Sequence, residues 1–333
     1  MKVMKFGGTS VGSPELIKNV ATLITASKEQ VFVVLSAMSG TTNALIEISD
    51  YLIKRNPEGA NELINRLETS YLSHVDALYS TQEYKEKTQT TLLQIFSYLR
   101  SFTKGHFTSF ESHRVVAQGE IMSTNMMANY LLEQGYHTTL IDALSFMRTD
   151  KNAEPDMEYI KHHLKEAMQG HEDSQVYITQ GFICRNSYGE IANLQRGGSD
   201  YTASLVGVSL PAEEIQIWTD IDGMHNNDPR FVDKTTAIHQ LNFEEAAELA
   251  YFGAKILHPT CVQPAKFYGV PVRLKHTMDP HAEGTIIDNN LVRGKIKAVA
   301  AKDNITAIKI KSSRMLGASG FLRKVFEIFE SYQ

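Results

Sequence analysis

Residues 31–35 read Val-Phe-Val-Val-Leu, five apolar side chains in succession. A strand points alternate side chains to opposite faces, so a run with no polar position must be covered on both. That requirement predicts a largely parallel sheet with helices on each side, and the preceding segment agrees with it. VMKF (3–6) is a shorter apolar strand. After it, Ser13 is placed to cap a helix that begins at Pro14, and Leu16, Ile17, Val20, Leu23 and Ile24 recur at helical spacing. Strand, helix, strand opens an α/β fold, a mostly parallel multi-stranded sheet sandwiched by helices.

Farther along, residues 43–134 are largely helical in pattern and form a long insertion between strands. Strand signals return at 137–142, 176–183, 214–220 and 271–276, with helical patterns at 156–169, 200–209 and 243–257 between them. The stretch 185–194, with Asn186, Ser187 and Gly189, reads as the turn of a hairpin. The segment 279–290 is loop-rich and is taken as a boundary. Past it, IKAVAAKDNITAIKIKSS predicts two strands. GFLRKVFEIFESYQ predicts an amphipathic helix with Phe321, Leu322, Val325, Phe326 and Phe329 on one side. A β–β–α fragment lacks the layers to bury a core, so the natural protein is expected to continue past this segment.

The 333 residues exceed the size at which one core usually stops growing, which favours a large domain with a smaller appendage. A formal charge of −5 and the lack of basic tracts give no footprint for nucleic acid or an anionic membrane. No stretch approaches the roughly 20 apolar residues of a membrane helix. Cys184 and Cys261 are too few and too far apart for a disulfide framework or a CxxC site. A cytoplasmic protein with reduced thiols and small-molecule chemistry is expected.

Three stretches carry residue types suited to anions. KFGGTS (5–10) sets Lys5, Gly7 and Gly8 just ahead of a helix, where glycines admit backbone N–H groups to phosphate and lysine adds full charge. An ordinary strand-to-helix turn is the alternative. QRGGSDYTA (195–203) repeats the grammar, with Arg196 suited to a carboxylate, Ser199 a possible N-cap and Asp200 in the first turn. Simple helix capping would also account for it. WTDIDGMHNNDPRF (218–231) places Thr219 and Asp220 at the carboxyl end of a strand, where open α/β sheets bind ligands, with Arg230 in the loop beyond. Neither GxxxxGK[ST] nor GxGxxG occurs. Met122, Met126 and Met127 at helical spacing read as core, and no His/Cys spacing suggests a transition metal.

Taken together, KFGGTSVG, VLSAMSGTTNAL, QGEIMST, ITQGFI, RGGSDYTA, IWTDIDG…DPR and FGAKILHP, in this order across residues 2–290, resemble the aspartate kinases of the amino-acid kinase family. The terminal NITAIKIKSSRMLGASGFLRKVFEIFESY is similar to the start of the ACT-type regulatory region that follows such catalytic domains. The resemblance implies a catalytic domain over 1–290 and the truncated start of an ACT-like α+β segment over 291–333. It implies ATP-dependent phosphorylation of the side-chain carboxylate of L-aspartate, the first step toward lysine, threonine, methionine and isoleucine. Lys5 and Asp200 would be catalytic, Lys5 on the transferred phosphoryl group and Asp200 as organiser of ammonium groups and Mg²⁺. The substrate pocket would comprise Ser36, Thr42, Glu120, Arg196 and Ser199, with Glu120 and Arg196 answering the ammonium and α-carboxylate. ATP would be met by Lys5, Gly7, Gly8, Thr219, Asp220, Arg230 and Lys255. Many relatives carry tyrosine in the loop where this chain has His225, which leaves a ring-stacking role there open. Mg²⁺ arriving with ATP is the one metal expected, and a homodimer, weakened by truncation, the one protein partner. Glutamate or N-acetylglutamate as acceptor, or a non-catalytic amino-acid sensor, are the competing readings.

Overall fold

The computed structural model describes residues 1–27, 29–194, 197–228, 231–252, 257–291, 296–311 and 319–332. It divides into two compact units, Met1–Ala300 and Ala301–Gln333. The first begins with β1 (Lys2–Phe6), α1 (Pro14–Thr25) and β2 (Val31–Leu35). Ser13 caps α1 as expected, its hydroxyl accepting from Leu16 N at 3.3 Å. The helical insertion consists of α2 (Thr41–Ile53), α3 (Pro57–Leu78), α4 (Gln82–Ser101), α5 (Ser109–Val116) and α6 (Gln118–Glu133). After it come β3 (Thr138–Ile141), α7 (Ala143–Phe146), α8 (Met157–Met168), β4 (Val176–Gln180), β5 (Ile183–Arg185) and β6 (Ile191–Asn193). The remainder of the unit holds α9 (Gly198–Ser209), β7 (Glu214–Thr219), β8 (Gln240–Asn242), α10 (Phe243–Phe252), α11 (Gln263–Tyr268), β9 (Val272–His276) and β10 (Thr285–Asp288).

Eight strands form one sheet in the order β3-β4-β2-β1-β7-β9-β10-β8. The six from β3 to β9 run parallel, and β10 turns back antiparallel to β9. All five residues of β2 are buried, as its composition demands. Val31, Val33 and Leu35 enter a core with α1–α4 and α6, while Phe32 and Val34 enter a second core with α7–α11. The same alternation sends Met4 and Phe6 of β1 to the first core and Val3 to the second. Lys5 therefore lies on the Val3 side, the side covered by α9. Met122, Met126 and Met127 are core residues, as expected. Among the described residues no helix is long and apolar enough to cross a membrane.

Four expectations need correction. The apolar run 176–183 is two strands, because the chain leaves the sheet at Gly181 and Phe182, where φ is +70°. Ser199 is not the N-cap of α9. Gly197 is, and Ser199 lies inside the first turn. The loop-rich segment 279–290 contains β10, whose Thr285, Ile286 and Ile287 pair with β9, and β8 was not foreseen because three residues carry too little periodicity. No strand forms in the described residues 296–311; Val299 N donates to Asn226 O at 2.9 Å, but this single bond is not continued into a ladder. The second unit does contain the expected helix, α12 (Phe321–Glu330), none of whose residues is buried.

Candidate active site

The carboxyl ends of β1, β2 and β4 open on one edge of the sheet, and the side chains gathered there come from distant parts of the chain. Lys5, Ser36, Thr42, Glu120, Ser199 and Asp200 line one cavity of about 270 Å³, together with Phe182, Gly197 and Gly198. Six of the residues proposed from sequence motifs thus converge. Arg196, Arg230 and Lys255 lie outside the described residues.

Lys5 Nζ lies 2.8 Å from Asp200 Oδ1, with both side chains largely shielded from water. Asp200 sits in the first turn of α9, where a carboxylate complements the helix dipole. Helix capping and ligand chemistry are therefore compatible at this position. Gly7 approaches the same ammonium: a Cβ built on it would lie 3.5 Å from Lys5 Nζ.

Gly8 is required by close approach. A Cβ there would lie 2.6 Å from the Ala37 carbonyl oxygen, while Gly8 O accepts from Ser39 N at 3.1 Å. The two loops that follow β1 and β2 are held together backbone to backbone. Gly8→Ala is expected to cost about 1–3 kcal/mol by overpacking and to lower turnover, because it pushes the loop that carries Ser36 and leads into α2, with Thr42 in its first turn, away from Lys5. Thermal denaturation alongside a turnover assay checks this, and an unchanged Tm would show that the loop can retreat freely.

Glu120 lines the same cavity. It lies in the first turn of α6 and is only 3% exposed, which rules out the solvated helix carboxylate that periodicity alone would allow. Its Oε1 accepts from Ala37 N at 3.3 Å, and Oε2 is buried with no hydrogen-bond partner among the described residues. Burial pushes its pKa up to about 7, with the Ala37 amide opposing the shift. A buried carboxylate oxygen without a donor is suited to an incoming cation. Behind it, Thr124 Oγ1 donates to Glu120 O at 2.7 Å, and Tyr71 OH and Thr41 Oγ1, 2.8 Å apart, anchor the start of α2.

Thr219 and Asp220 lie at the end of β7, next to β1, and are not among the cavity-lining residues. Thr219 O accepts from Thr277 N at 2.8 Å, and Thr277 Oγ1 meets Ser10 Oγ at 2.8 Å, so the Lys5–Ser10 loop and the end of β7 are linked through β9. Phe6 stacks on Trp218 with centroids 5.7 Å apart, joining the same strands. In the loop after β7, His225 bridges Asp222 (2.6 Å) and Thr235 (2.7 Å). The His225 hydrogen bond holds Asp222 below the usual carboxylate range. His225 is thus a loop tie.

Three cavity residues were not assigned a role from the sequence, Phe182, Gly197 and Gly198. Phe182 was signalled by its place in the ITQGFI stretch and by a glycine-aromatic step interrupting an apolar run, but a positive φ at phenylalanine cannot be anticipated from residue type. Cys184 and Cys261 are both buried thiols, and burial pushes each up to about 12.

A sequence model described as the amino acid kinase family matches residues 1–276. Aspartokinase 1, chloroplastic, of Arabidopsis thaliana is 36% identical over 98% of the chain and 59% of its own length. The chain thus spans about three fifths of that relative. Lysine-sensitive aspartokinase 3 of Escherichia coli is 32% identical over 98% of the chain and 73% of its own length. Among solved structures, E. coli aspartokinase III in complex with aspartate and ADP superposes with a TM-score of 0.84 at 30% identity, covering 99% of this chain and 74% of that one. The residues quoted from the sequence, the parallel sheet and the similarity over nearly the full length agree: the chain belongs to the amino acid kinase family, and within it to the aspartokinases.

Proposed function

We propose that this protein transfers the γ-phosphoryl group of ATP to the side-chain carboxylate of L-aspartate, giving 4-phospho-L-aspartate and ADP. The observation that carries the reading is the pairing, in one cavity, of a shielded Lys5–Asp200 ion pair with a buried Glu120 oxygen that has no donor among the described residues. Such a cavity offers a carboxylate to the ammonium of an acidic amino acid and a lysine beside its acceptor carboxylate. Glu120 receives the ammonium, and the Ser36, Thr42 and Ser199 hydroxyls supply hydrogen bonds. The acceptor carboxylate is an anion at neutral pH and needs no general base. What the reaction needs is alignment and charge neutralisation.

Lys5 supplies that charge to the transferred phosphoryl oxygens, and the Gly7 and Gly8 backbone lies beside it. Asp200 holds the Lys5 ammonium in place, with its lone pairs otherwise available to a cation. Mg²⁺ accompanying ATP commonly takes one or two carboxylates together with phosphate oxygens and water. Asp200 fits that donor set, and the ion, when bound, neutralises charge on the phosphates. Thr219 and Asp220, with Arg230 and Lys255, are assigned to the nucleotide, and Arg196 to the α-carboxylate. Arg196→Ala is expected to raise KM for aspartate by about 10- to 100-fold while leaving KM for ATP within about threefold. An unchanged aspartate KM would remove Arg196 from the pocket. Residues 291–333 are assigned to the beginning of an ACT-like regulatory region.

The test is ADP formation with Mg²⁺ and ATP in the presence of L-aspartate, L-glutamate, N-acetyl-L-glutamate or no acceptor, with hydroxylamine trapping any acyl phosphate. Hydroxamate formed with aspartate alone supports the assignment. Hydroxamate with another acceptor replaces the substrate, and aspartate binding without ADP formation replaces the enzyme with a sensor.

A further inference from the structure

We propose that Thr202 is a positioning residue that fixes the Phe182 wall of the cavity and thereby sets the length of acidic amino acid the site accepts, an inference that rests on the acceptor reading above. Phe182 lines the cavity with φ at +70°, in the left-handed region that bulky side chains avoid. Such strain persists only where the surroundings over-determine it, and here three contacts do so. Phe182 N donates to Thr202 Oγ1 at 3.1 Å, Phe182 O accepts from Leu194 N at 2.7 Å, and the ring lies against Gly198. A Cβ on Gly198 would come within 2.6 Å of Phe182 Cδ2.

Thr202 is fully buried, and its hydroxyl donates to Gly198 O at 2.9 Å. One hydroxyl thus accepts from the Phe182 turn and donates to the first turn of α9, the turn that carries Ser199 and Asp200. Both hydrogen-bonding roles of the group are filled. Valine would fill the same volume but leave Phe182 N–H without its acceptor, and the strained turn would lose one of its three restraints. Aspartate and glutamate differ by one methylene. A wall held in place rejects the longer side chain by keeping its carboxylate out of line with the phosphoryl group. A wall that can retreat does not.

The experiment measures kcat/KM for aspartate and glutamate in the wild type, Thr202→Val and Thr202→Ser. Thr202→Val is expected to lower the aspartate-over-glutamate ratio about tenfold, with the aspartate KM rising more than kcat falls, and Thr202→Ser, which keeps the hydroxyl, to restore it to within about twofold. An unchanged ratio in Thr202→Val overturns the proposal. If that variant does not fold, Phe182→Leu shortens the wall while keeping the backbone amide, and its ratio is expected to fall; an unchanged ratio again overturns the proposal. Wild-type enzyme that forms no hydroxamate with aspartate overturns the acceptor reading itself, whereas an active wild type with an unaltered ratio in the variants removes only Thr202.

Discussion

Lys5→Ala is expected to lower kcat by about a thousandfold, with the aspartate KM changed less than about tenfold. The asymmetry follows from what the ammonium does. In the proposed reaction it meets charge on the phosphoryl oxygens as transfer proceeds, so its removal is expected to cost the transition state far more than the bound acceptor. Asp200 then loses the ion-pair partner that lies 2.8 Å from it. Part of the effect will therefore appear as lower stability, since a shielded carboxylate stripped of its counter-ion is unfavourable. Lys5→Arg separates the two contributions. Arginine keeps the charge beside Asp200 but presents a planar fork in place of a compact ammonium. Recovery of Tm without recovery of kcat would locate the loss in the phosphoryl-transfer step. Steady-state kinetics and thermal melts on both variants supply the check, and Lys5→Ala with more than a tenth of wild-type turnover would exclude Lys5 from the chemistry.

Glu120→Gln is expected to act in opposite directions on function and stability. On the proposed assignment of Glu120 to the substrate ammonium, removing the carboxylate takes away its counter-charge in a buried place, and the aspartate KM should rise about 100-fold or more. Stability should move the other way above neutral pH. The Glu120 pKa is raised by burial from the ordinary 4.5 to about 7 in the folded chain. Its favourable contribution is fully present below pH 4.5 and is lost as pH rises through 7, because above that range the folded state must hold a desolvated anion. Glutamine carries no such charge. The variant should therefore gain on the wild type across this window, by at most on the order of 3 kcal/mol above pH 7. Melts of the two proteins at pH 5.5 and pH 8 test this, and a variant with no relative gain at pH 8 would contradict it. Aspartate should raise the Tm of the wild type much more than that of the variant. In the wild type, KM for aspartate should climb as pH falls below about 7, since the protonated carboxyl is a poor partner for an ammonium.

Local patterns carried much of the fold. The apolar run of β2 required two covered faces, and two cores on opposite faces of the sheet are what formed. Ser13 and Pro14 marked the start of α1, and Asn186 and Gly189 the turn of the hairpin between β5 and β6. Short or strained pieces were not legible. β8 has three residues, β10 hides in a polar loop, and the break at Phe182 depends on contacts with Leu194, Gly198 and Thr202 that a local window cannot contain.

The candidate site divides in the same way. Sequence by itself determined which residues could carry the chemistry, because lysine beside paired glycines, a GE step and an RGGSD stretch are choices that make poor core and good ligand contacts, and their order carried the family. Only the tertiary structure decided which of them meet. Lys5 and Glu120 are both charged residues shielded from water, yet one is paired with Asp200, whose position lies far along the chain, and the other keeps a buried oxygen with no donor among the described residues. The physical reason is that burial and pairing are properties of contacts between distant segments. They set the charge state of Glu120 and the placement of the Lys5 ammonium, and residue type alone sets neither.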